Sequence, residues 1–265
     1  MNSLAGRRAL VTGAGTGIGR AIAIGLGEAG ASVMLAGRRP EPIAEAAEHV
    51  RAHGAEAAIL STDVRDPEQV RDLIDATRAE LGGIDALVHA AGVHSLARSI
   101  DLSESELTAV LESNLIGAFR VVREAGRAML DSDGGAIVTI ASLAALGGFP
   151  GRIAYGISKA GVASLTQTLG VEWADRGVRV NALVPGFVHT PISDSLVERG
   201  ALDLEALERR TPMGRRAEPE EMVGPAVFLL SDAAGFVTGQ SLVADGGWSA
   251  WLSPIDEYGP RGGGA

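Results

Sequence analysis

The stretch ALVTGAGTGIGRAIA, residues 9–23, joins an apolar strand, a glycine-rich turn and the start of a helix. Glycines at positions 13, 15, 17 and 19 let the backbone turn sharply and approach a ligand without Cβ clashes. The helix that follows directs its free N–H groups and positive dipole end at the turn, where a pyrophosphate would bind. The spacing fits T-G-x-x-x-G-x-G. A turn without a ligand is the alternative, which the position between a first strand and a first helix disfavours.

Short apolar runs alternate with amphipathic segments along the rest of the chain. Short strands separated by crossover helices pair in parallel, so we expect a single-domain α/β fold, a doubly wound parallel sheet of seven strands with helices on both faces. The predicted strands are Ala9–Thr12, Ser32–Ala36, Ala57–Ser61, Ala86–His89, Ala136–Ile140, Arg179–Leu183 and Ser241–Val243. The predicted helices begin near Gly17, Glu41, Pro67, Glu104, Ile153 and Pro219. Asp66 before Pro67 predicts an N-cap, and Ser103 with Glu106 predicts a capping box.

Nothing in the sequence indicates a second domain or a repeat. We expect one catalytic domain over residues 1–250. The polar, turn-rich segment 186–218 is predicted to form a helical lid over the site. The tail, residues 251–265, ends in PRGGGA and is typical of partial disorder, although Trp248 and Trp251 indicate that its beginning packs against the domain.

Composition excludes several classes of function. The 265 residues carry a net charge of −10, which argues against a nucleic-acid surface. There is no cysteine, which excludes disulfides, thiolate catalysis and Cys-ligated metals. His49 and His53 are four residues apart, but in a charged amphipathic stretch that favours a solvated helix face, so we expect no metal site. With no signal-peptide pattern and no apolar run of membrane length, we expect a cytoplasmic protein without membrane contact.

The end of the second strand carries information about cofactor choice. A carboxylate there would bind the adenosine ribose hydroxyls of NAD, but Arg38 and Arg39 follow Gly37 instead. Two guanidiniums at this point would pair with the 2′-phosphate of NADP. A solvated arginine pair that begins a loop is the alternative. The sequence therefore favours NADP, with NAD as the other possibility.

The stretch YGISKAG, residues 155–161, contains Lys159, the only lysine among 23 Lys and Arg residues, four residues after one of two tyrosines. In a helix, residues four apart share one face. A phenol ionises near pH 10, and a nearby ammonium favours the phenolate, so Lys159 is expected to lower the pKa of Tyr155. Lysine suits this role as a compact cation with three donors, and arginine would not replace it. An incidental pair is the alternative.

Taken in order, the motifs of the chain resemble those of the short-chain dehydrogenase/reductase family over residues 5–248. TGAGTGIG resembles its cofactor loop, Asp63–Val64 its adenine-binding pair and YGISK its Y-x-x-x-K motif. HAAG, residues 89–92, stands where the family usually has N-N-A-G. Asn114 matches the helix asparagine, Ser142 the catalytic serine, and RVNALVPGFVHT, residues 179–190, the nicotinamide segment.

The resemblance implies a Rossmann-like enzyme that interconverts a secondary alcohol and a ketone with NAD(P). Tyr155 would be the acid/base, Lys159 would lower its pKa and bind the nicotinamide ribose, Ser142 would hydrogen-bond the carbonyl, and Asn114 would hold a water that links Lys159 to solvent. The cofactor residues that it implies are Gly13, Thr16, Gly17, Ile18, Gly19, Arg38, Arg39, Asp63, Val64, Ala90, Ala91, Gly92, Tyr155, Lys159, Pro185, Gly186, Val188 and Thr190. A catalytically idle nucleotide-binding scaffold is the alternative of another class, which the intact Ser142, Tyr155 and Lys159 disfavour.

Substrate identity stays open at this point. The C-terminal third is similar to family members acting on sugar acids such as gluconate and to 3-oxoacyl-carrier-protein reductases. Candidate substrate residues are His94, Arg98, Ala144 and Arg152, of which His94 and Arg98 could receive a carboxylate or be ordinary surface charge. The apolar residues around Ser142 suit a small ketone or an acyl chain. Arg209, Arg210, Arg215 and Arg216 could form a basic patch for an acyl carrier or be solvated. The resemblance also implies a homotetramer or homodimer.

Overall fold

A computed structural model describes residues 3–198, 200 and 202–252 of the chain. Its centre is one seven-stranded sheet in the order β3-β2-β1-β4-β5-β6-β7, and every neighbouring pair is parallel. The strands are β1 (Arg8–Thr12), β2 (Ser32–Gly37), β3 (Ala57–Ser61), β4 (Ala86–His89), β5 (Gly135–Ile140), β6 (Val178–Pro185) and β7 (Ser241–Ala244). The predicted doubly wound parallel sheet is confirmed.

Helices connect the strands and cover the sheet. They are α1 (Gly17–Glu28), α2 (Pro40–Ala52), α3 (Pro67–Leu81), α4 (Glu104–Leu111), α5 (Gly117–Leu130), α6 (Ile153–Glu172), α7 (Pro191–Glu198), α8 (Leu204–Arg210) and α9 (Val223–Leu230). The two predicted N-termini are confirmed: the Asp66 side chain accepts from the backbone N–H groups of Glu68 and Gln69, and Ser103 forms a capping box with Glu106. The helix predicted at Pro219 begins with a 3₁₀ turn, Pro219–Met222, before α9.

Two apolar layers hold the helices against the sheet. On one face Ile22 of α1, Ile43 of α2 and Val227 of α9 are buried. On the other face the buried residues include Leu73 of α3 and Leu169 of α6. Both faces of the central strands are therefore covered, which explains why these strands are continuous apolar runs in the sequence.

Two further predictions concern residues 186–218 and the C-terminal tail. Segment 186–218 contains α7 and α8, in agreement with a helical excursion, while its action as a lid stays a prediction. Residues 253–265 of the predicted tail lie outside the described residues. Among the residues described here, no helix combines the length and the apolar character needed to cross a bilayer.

Candidate active site

A long cleft lies at the carboxyl ends of the strands, where the order reverses between β1 and β4. Such a switch point is the usual ligand site of a doubly wound sheet. The cleft has two compartments of about 250 and 140 Å³, which share lining residues including Gly13, Thr16 and Gly92. One compartment extends to Arg38 and the other to Tyr155. A single elongated ligand can therefore reach from the end of β2 to the start of α6.

The glycine-rich turn forms the floor between the two compartments. Gly13 has a φ of 69°, and a Cβ at this residue would lie 2.7 Å from the backbone nitrogen of Ala91. A Cβ on Gly19 would collide with the carbonyl oxygen of Gly13, so α1 packs directly on the turn. Thr16 makes no side-chain capping bond, and the first turn of α1 has no acidic residue. The positive end of α1 therefore faces the cleft without a negative side chain, as a pyrophosphate site requires.

Arg38 and Arg39 line the compartment at the end of β2, together with Asp63 and Val64. Among the described residues no carboxylate lies within ion-pair distance of Arg38 or Arg39. Arg65, in contrast, forms a bidentate salt bridge with Asp63. The hydrogen bonds from Arg65 lower the pKa of Asp63. Two arginines with no carboxylate within ion-pair distance, next to the glycine-rich turn, fit the 2′-phosphate of NADP.

The other predicted cofactor residues lie along the same cleft. The wall at Tyr155 is formed by residues from the turn, from the end of β4 and from the end of β6, and they include Gly17, Ile18, Gly19, Ala90, Ala91, Gly92, Pro185, Gly186, Val188 and Thr190. The fold thus brings motifs that are far apart in the sequence to one edge of the sheet.

Ser142, Tyr155 and Lys159 meet at the far end of the cleft. Ser142 follows β5 and accepts a hydrogen bond from the backbone N–H of Ala144 at 3.2 Å. Tyr155 and Lys159 lie one turn apart on α6, with the Lys159 Nζ atom 5.7 Å from the centroid of the Tyr155 ring. Lys159 is 6% exposed, and its Nζ donates to the carbonyl oxygen of Ile140 at 2.6 Å. A phenol, a hydroxyl and a buried ammonium therefore face one small space.

Burial and two neighbouring groups set the direction of the Tyr155 pKa shift. Burial raises the pKa of Tyr155, and the opposing contributions come from the Ser142 hydrogen bond and the charge of Arg152. Lys159 is itself withdrawn from water, which lowers its pKa to about 8, and its ammonium is bound to Ile140. The phenol is therefore protonated at neutral pH, and the lowering of its pKa by Lys159 stays a prediction.

Asn114 lies behind the cleft, in the π-helical segment Glu112–Ile116 between α4 and α5. Its Oδ1 accepts from the backbone N–H of Val93 at 2.7 Å, and its Nδ2 donates to the carbonyl of Val93 at 2.8 Å and to Ser158 Oγ at 3.1 Å. Asn114 thus ties the loop after β4 to α6, while its predicted water link stays a prediction. A Cβ on Gly92 would lie 3.2 Å from Asn114 Oδ1, which explains the glycine at that point.

We expect Asn114→Ala to lower the free energy of unfolding by about 2 kcal/mol, because Val93 and Ser158 would lose their buried partner. Urea denaturation followed by circular dichroism would measure the change. Glu80→Ala, at an exposed position of α3, is the control and should shift stability by less than about 0.5 kcal/mol. Equal stability of the two variants would contradict the bracing role of Asn114.

The predicted substrate residues are separated by the structure. His94, Ala144 and Arg152 line the cleft beside Tyr155, whereas the Arg98 side chain is 84% exposed, lies 3.8 Å from Asp101 and is not part of the lining. Sequence reasoning missed an aromatic wall made by Phe149 and Phe187, whose ring centroids are 6.3 Å apart. Trp248 packs behind it, with its ring centroid 4.9 Å from that of Phe187. The only sequence signal was that aromatic residues are rare in this chain.

This combination of a doubly wound sheet, a glycine-rich turn at its switch point and an adjacent phenol–ammonium pair defines a nucleotide-dependent oxidoreductase. A family described as Enoyl-(Acyl carrier protein) reductase matches residues 13–249. The chain belongs to the short-chain dehydrogenase/reductase family and is an oxidoreductase of that family.

Two relatives and one solved structure are similar to this chain over most of its length. D-threitol dehydrogenase of Mycolicibacterium smegmatis is 39% identical over 93% of this chain and 94% of its own length. The 3-oxoacyl-(acyl-carrier-protein) reductase of Thermotoga maritima is 34% identical over 92% of this chain and 98% of its own. The crystal structure of a gluconate 5-dehydrogenase from Burkholderia cenocepacia in complex with NADP and tartrate superposes with a TM-score of 0.90, at 37% identity, over 95% of this chain and 98% of that one.

Proposed function

We propose that this protein interconverts a secondary alcohol and a ketone with NADP(H). The observation that carries the proposal is the meeting of Ser142, Tyr155 and Lys159 at one end of a cleft whose other end has the glycine-rich turn and two arginines without acidic partners. NADP, when bound, supplies or accepts the hydride. NADP is present in the Burkholderia structure, which supports the same cofactor here.

Ser142, Tyr155 and Lys159 have different roles in the proposed reaction. Ser142 donates a hydrogen bond to the carbonyl oxygen, which stabilises the charge that develops on it. Tyr155 gives the proton to that oxygen during reduction and takes it back during oxidation. The phenol is protonated at neutral pH and therefore holds the proton that reduction requires. Lys159 fixes the ribose next to the nicotinamide through its ammonium donors.

A sugar acid or a small ketone is the proposed substrate. The gluconate and threitol relatives support a polyol or sugar acid. The apolar lining of Leu143, Phe149 and Phe187 supports a compact ketone. Cofactor oxidation measured with NADPH against a panel of both classes tests the proposal. Absence of turnover with every member, and with NADH as well, would instead favour the catalytically idle nucleotide-binding scaffold.

Reduction of an acyl-carrier substrate is the second candidate, supported by the Thermotoga relative. It would need a basic surface near the cleft, and the four candidate arginines all have partners within this chain. Arg209 lies 3.9 Å from Glu205, Arg215 lies 2.6 Å from Glu221, Arg216 lies 3.0 Å from Asp194, and Arg210 donates to the carbonyls of Trp248 and Trp251. The structure therefore favours a free small molecule over a carrier-bound one.

We expect the double variant Arg38→Ala, Arg39→Ala to raise the KM for NADPH by about 10- to 100-fold, because charge-assisted bonds to a phosphate would be lost. The KM for NADH should change by less than about threefold, since NADH has no 2′-phosphate. Initial rates with both cofactors measure this, with Arg71→Ala, an exposed arginine of α3, as the control. Clearly tighter binding of NADH than NADPH by the unmodified protein would overturn the choice of NADP.

We also propose that the protein assembles as a homotetramer or homodimer, as the family resemblance implies. Ile116 and Phe119, near Asn114, and Ile157, near Tyr155, are 38%, 39% and 45% exposed. Apolar side chains on these two helices support an interface between copies of the chain. Size-exclusion chromatography with light scattering measures the assembly.

A further inference from the structure

Arg152 is a cation inside the cleft with no acidic partner. It is the N-cap residue of α6, three residues before Tyr155, and its side chain makes no capping hydrogen bond. Its guanidinium carbon lies 5.9 Å from the centroid of the Phe149 ring. Among the described residues no carboxylate lies within ion-pair distance of it. Burial lowers the pKa of Arg152, but an arginine keeps its charge at every physiological pH.

His94 faces the same space from the loop after β4. Its ring centroid lies 4.9 Å from that of Tyr155. Its Nε2 atom is buried and has no hydrogen-bond partner in the described part of the chain. Burial and the charge of Arg152 lower the pKa of His94 to about 4, so the imidazole is neutral at pH 7 and can donate one hydrogen bond. Nearly all buried polar atoms in proteins have partners, so an unpaired one in a cleft points to a ligand.

The charged residues that line the cleft compartment at Tyr155 are all cations. The charged residues among those that line the compartment at Tyr155 are Arg152 and Lys159, and no Asp or Glu is among them. The first turn of α6 has no acidic residue either, so its positive end adds to the potential. Leu143, Phe149 and Phe187 border the same space, and their apolar surfaces lower the local polarity, which strengthens charge interactions. A positive potential in a partly apolar space favours a ligand that carries a negative group on an apolar body.

We propose that Arg152 and His94 form a carboxylate subsite, and that the substrate is an oxo acid or hydroxy acid whose carboxylate binds there while its oxo or hydroxy carbon faces Tyr155. The inference rests on the proposed function for the reacting carbon, and it adds the group that selects the substrate. Arg152 supplies the charge and His94 a neutral donor, whereas Arg98, the other cation considered from the sequence, is exposed and does not line the compartment.

The test compares acids with their uncharged amides. The probes are 4-oxopentanoate and 4-oxocyclohexanecarboxylate, each with its carboxamide, reduced with NADPH. We expect kcat/KM to be at least about 10-fold higher for each acid than for its amide. Arg152→Gln should lower this acid-to-amide ratio by about 10-fold, toward one, and Arg152→Lys should restore part of it. His94→Phe should lower the ratio by a smaller factor, because a neutral donor is lost.

Arg98→Gln is the matched control, since it removes an exposed arginine from the same side of the molecule, and its ratio should equal that of the unmodified protein. An Arg152→Gln variant that loses acid and amide turnover equally would overturn the subsite. So would an unmodified protein that reduces the amides as well as the acids.

Binding separates failure of the subsite from failure of the proposed reaction. Calorimetry with cyclohexanecarboxylate, in the presence of NADP, needs no turnover. Binding that Arg152→Gln weakens by about 10-fold or more supports the subsite even if no probe is reduced. Equal binding by both proteins overturns it even if neutral ketones are reduced.

Discussion

Replacing Tyr155 with phenylalanine is expected to lower kcat for ketone reduction by about 10³-fold, because in the proposed reaction the phenol gives the proton to the carbonyl oxygen. The aromatic ring that faces His94 at 4.9 Å remains in the variant, so the packing around it is kept. Stopped-flow or steady-state oxidation of NADPH measures the loss. Fluorescence titration with NADPH is the control and should give the same Kd within about threefold. Equal turnover by both proteins would refute the acid/base role of Tyr155.

The direction of the pKa shift adds a pH dependence to this result. Burial raises the pKa of Tyr155, so the phenol stays protonated through neutral pH. The rate of ketone reduction by the unmodified protein should therefore be level near pH 7 and fall only in alkaline solution. The rate of alcohol oxidation should rise with pH, because that direction needs the phenolate. Tyr155→Phe should lose both slopes, and a variant that retained them would place the titrating group elsewhere.

Lys159→Arg is expected to lower kcat/KM for NADPH by about 100-fold or more. The Lys159 side chain is 6% exposed, its Nζ donates to Ile140 at 2.6 Å, and a Cβ on Gly92 would lie 3.8 Å from that atom. A planar guanidinium is larger than an ammonium and cannot enter this space without displacing the backbone around it. Steady-state kinetics with varied NADPH measures the effect.

Arg71→Lys is the control for the reverse exchange at an exposed site and should leave the kinetics unchanged. A thermal melt shows whether Lys159→Arg folds. If the arginine variant folded and kept full activity, the need for a compact cation at this position would be refuted, and the single lysine of the chain would be incidental.

The fold was predictable because each strand is a short apolar run bounded by a strong start or stop signal. β3 and β4 match their predicted ranges, Ala57–Ser61 and Ala86–His89, and α1, α3, α4 and α6 begin at their predicted residues. Local hydrophobic periodicity and capping carry this information, and neither depends on distant contacts. The π-helical segment at Asn114 gave no such signal, and the side chain of Asn114 bonds Val93 and Ser158, which are distant in the sequence.

The sequence motifs predicted which residues line the cleft, but the sequence did not predict which arginines lack an acidic partner. Arg98 and Arg152 are equal candidates in the sequence, yet one is exposed beside Asp101 and the other lies in the cleft without an acid. The basic patch predicted at Arg209, Arg210, Arg215 and Arg216 is engaged with partners inside the chain. Which cations stay free depends on which acids the fold brings near them, and sequence spacing does not contain that distance.

The amino-acid sequence by itself determined the order of strands and helices, the glycine-rich turn, the candidate pair Tyr155 and Lys159, and the two arginines at the end of β2. These follow from residue type and short-range spacing. Only the tertiary structure decided that burial raises the pKa of Tyr155, that Asn114 braces the loop after β4, and that Arg152 and His94 face the reacting space. Each of these depends on desolvation or on a contact between segments distant in the chain, and both are set only when the chain has folded.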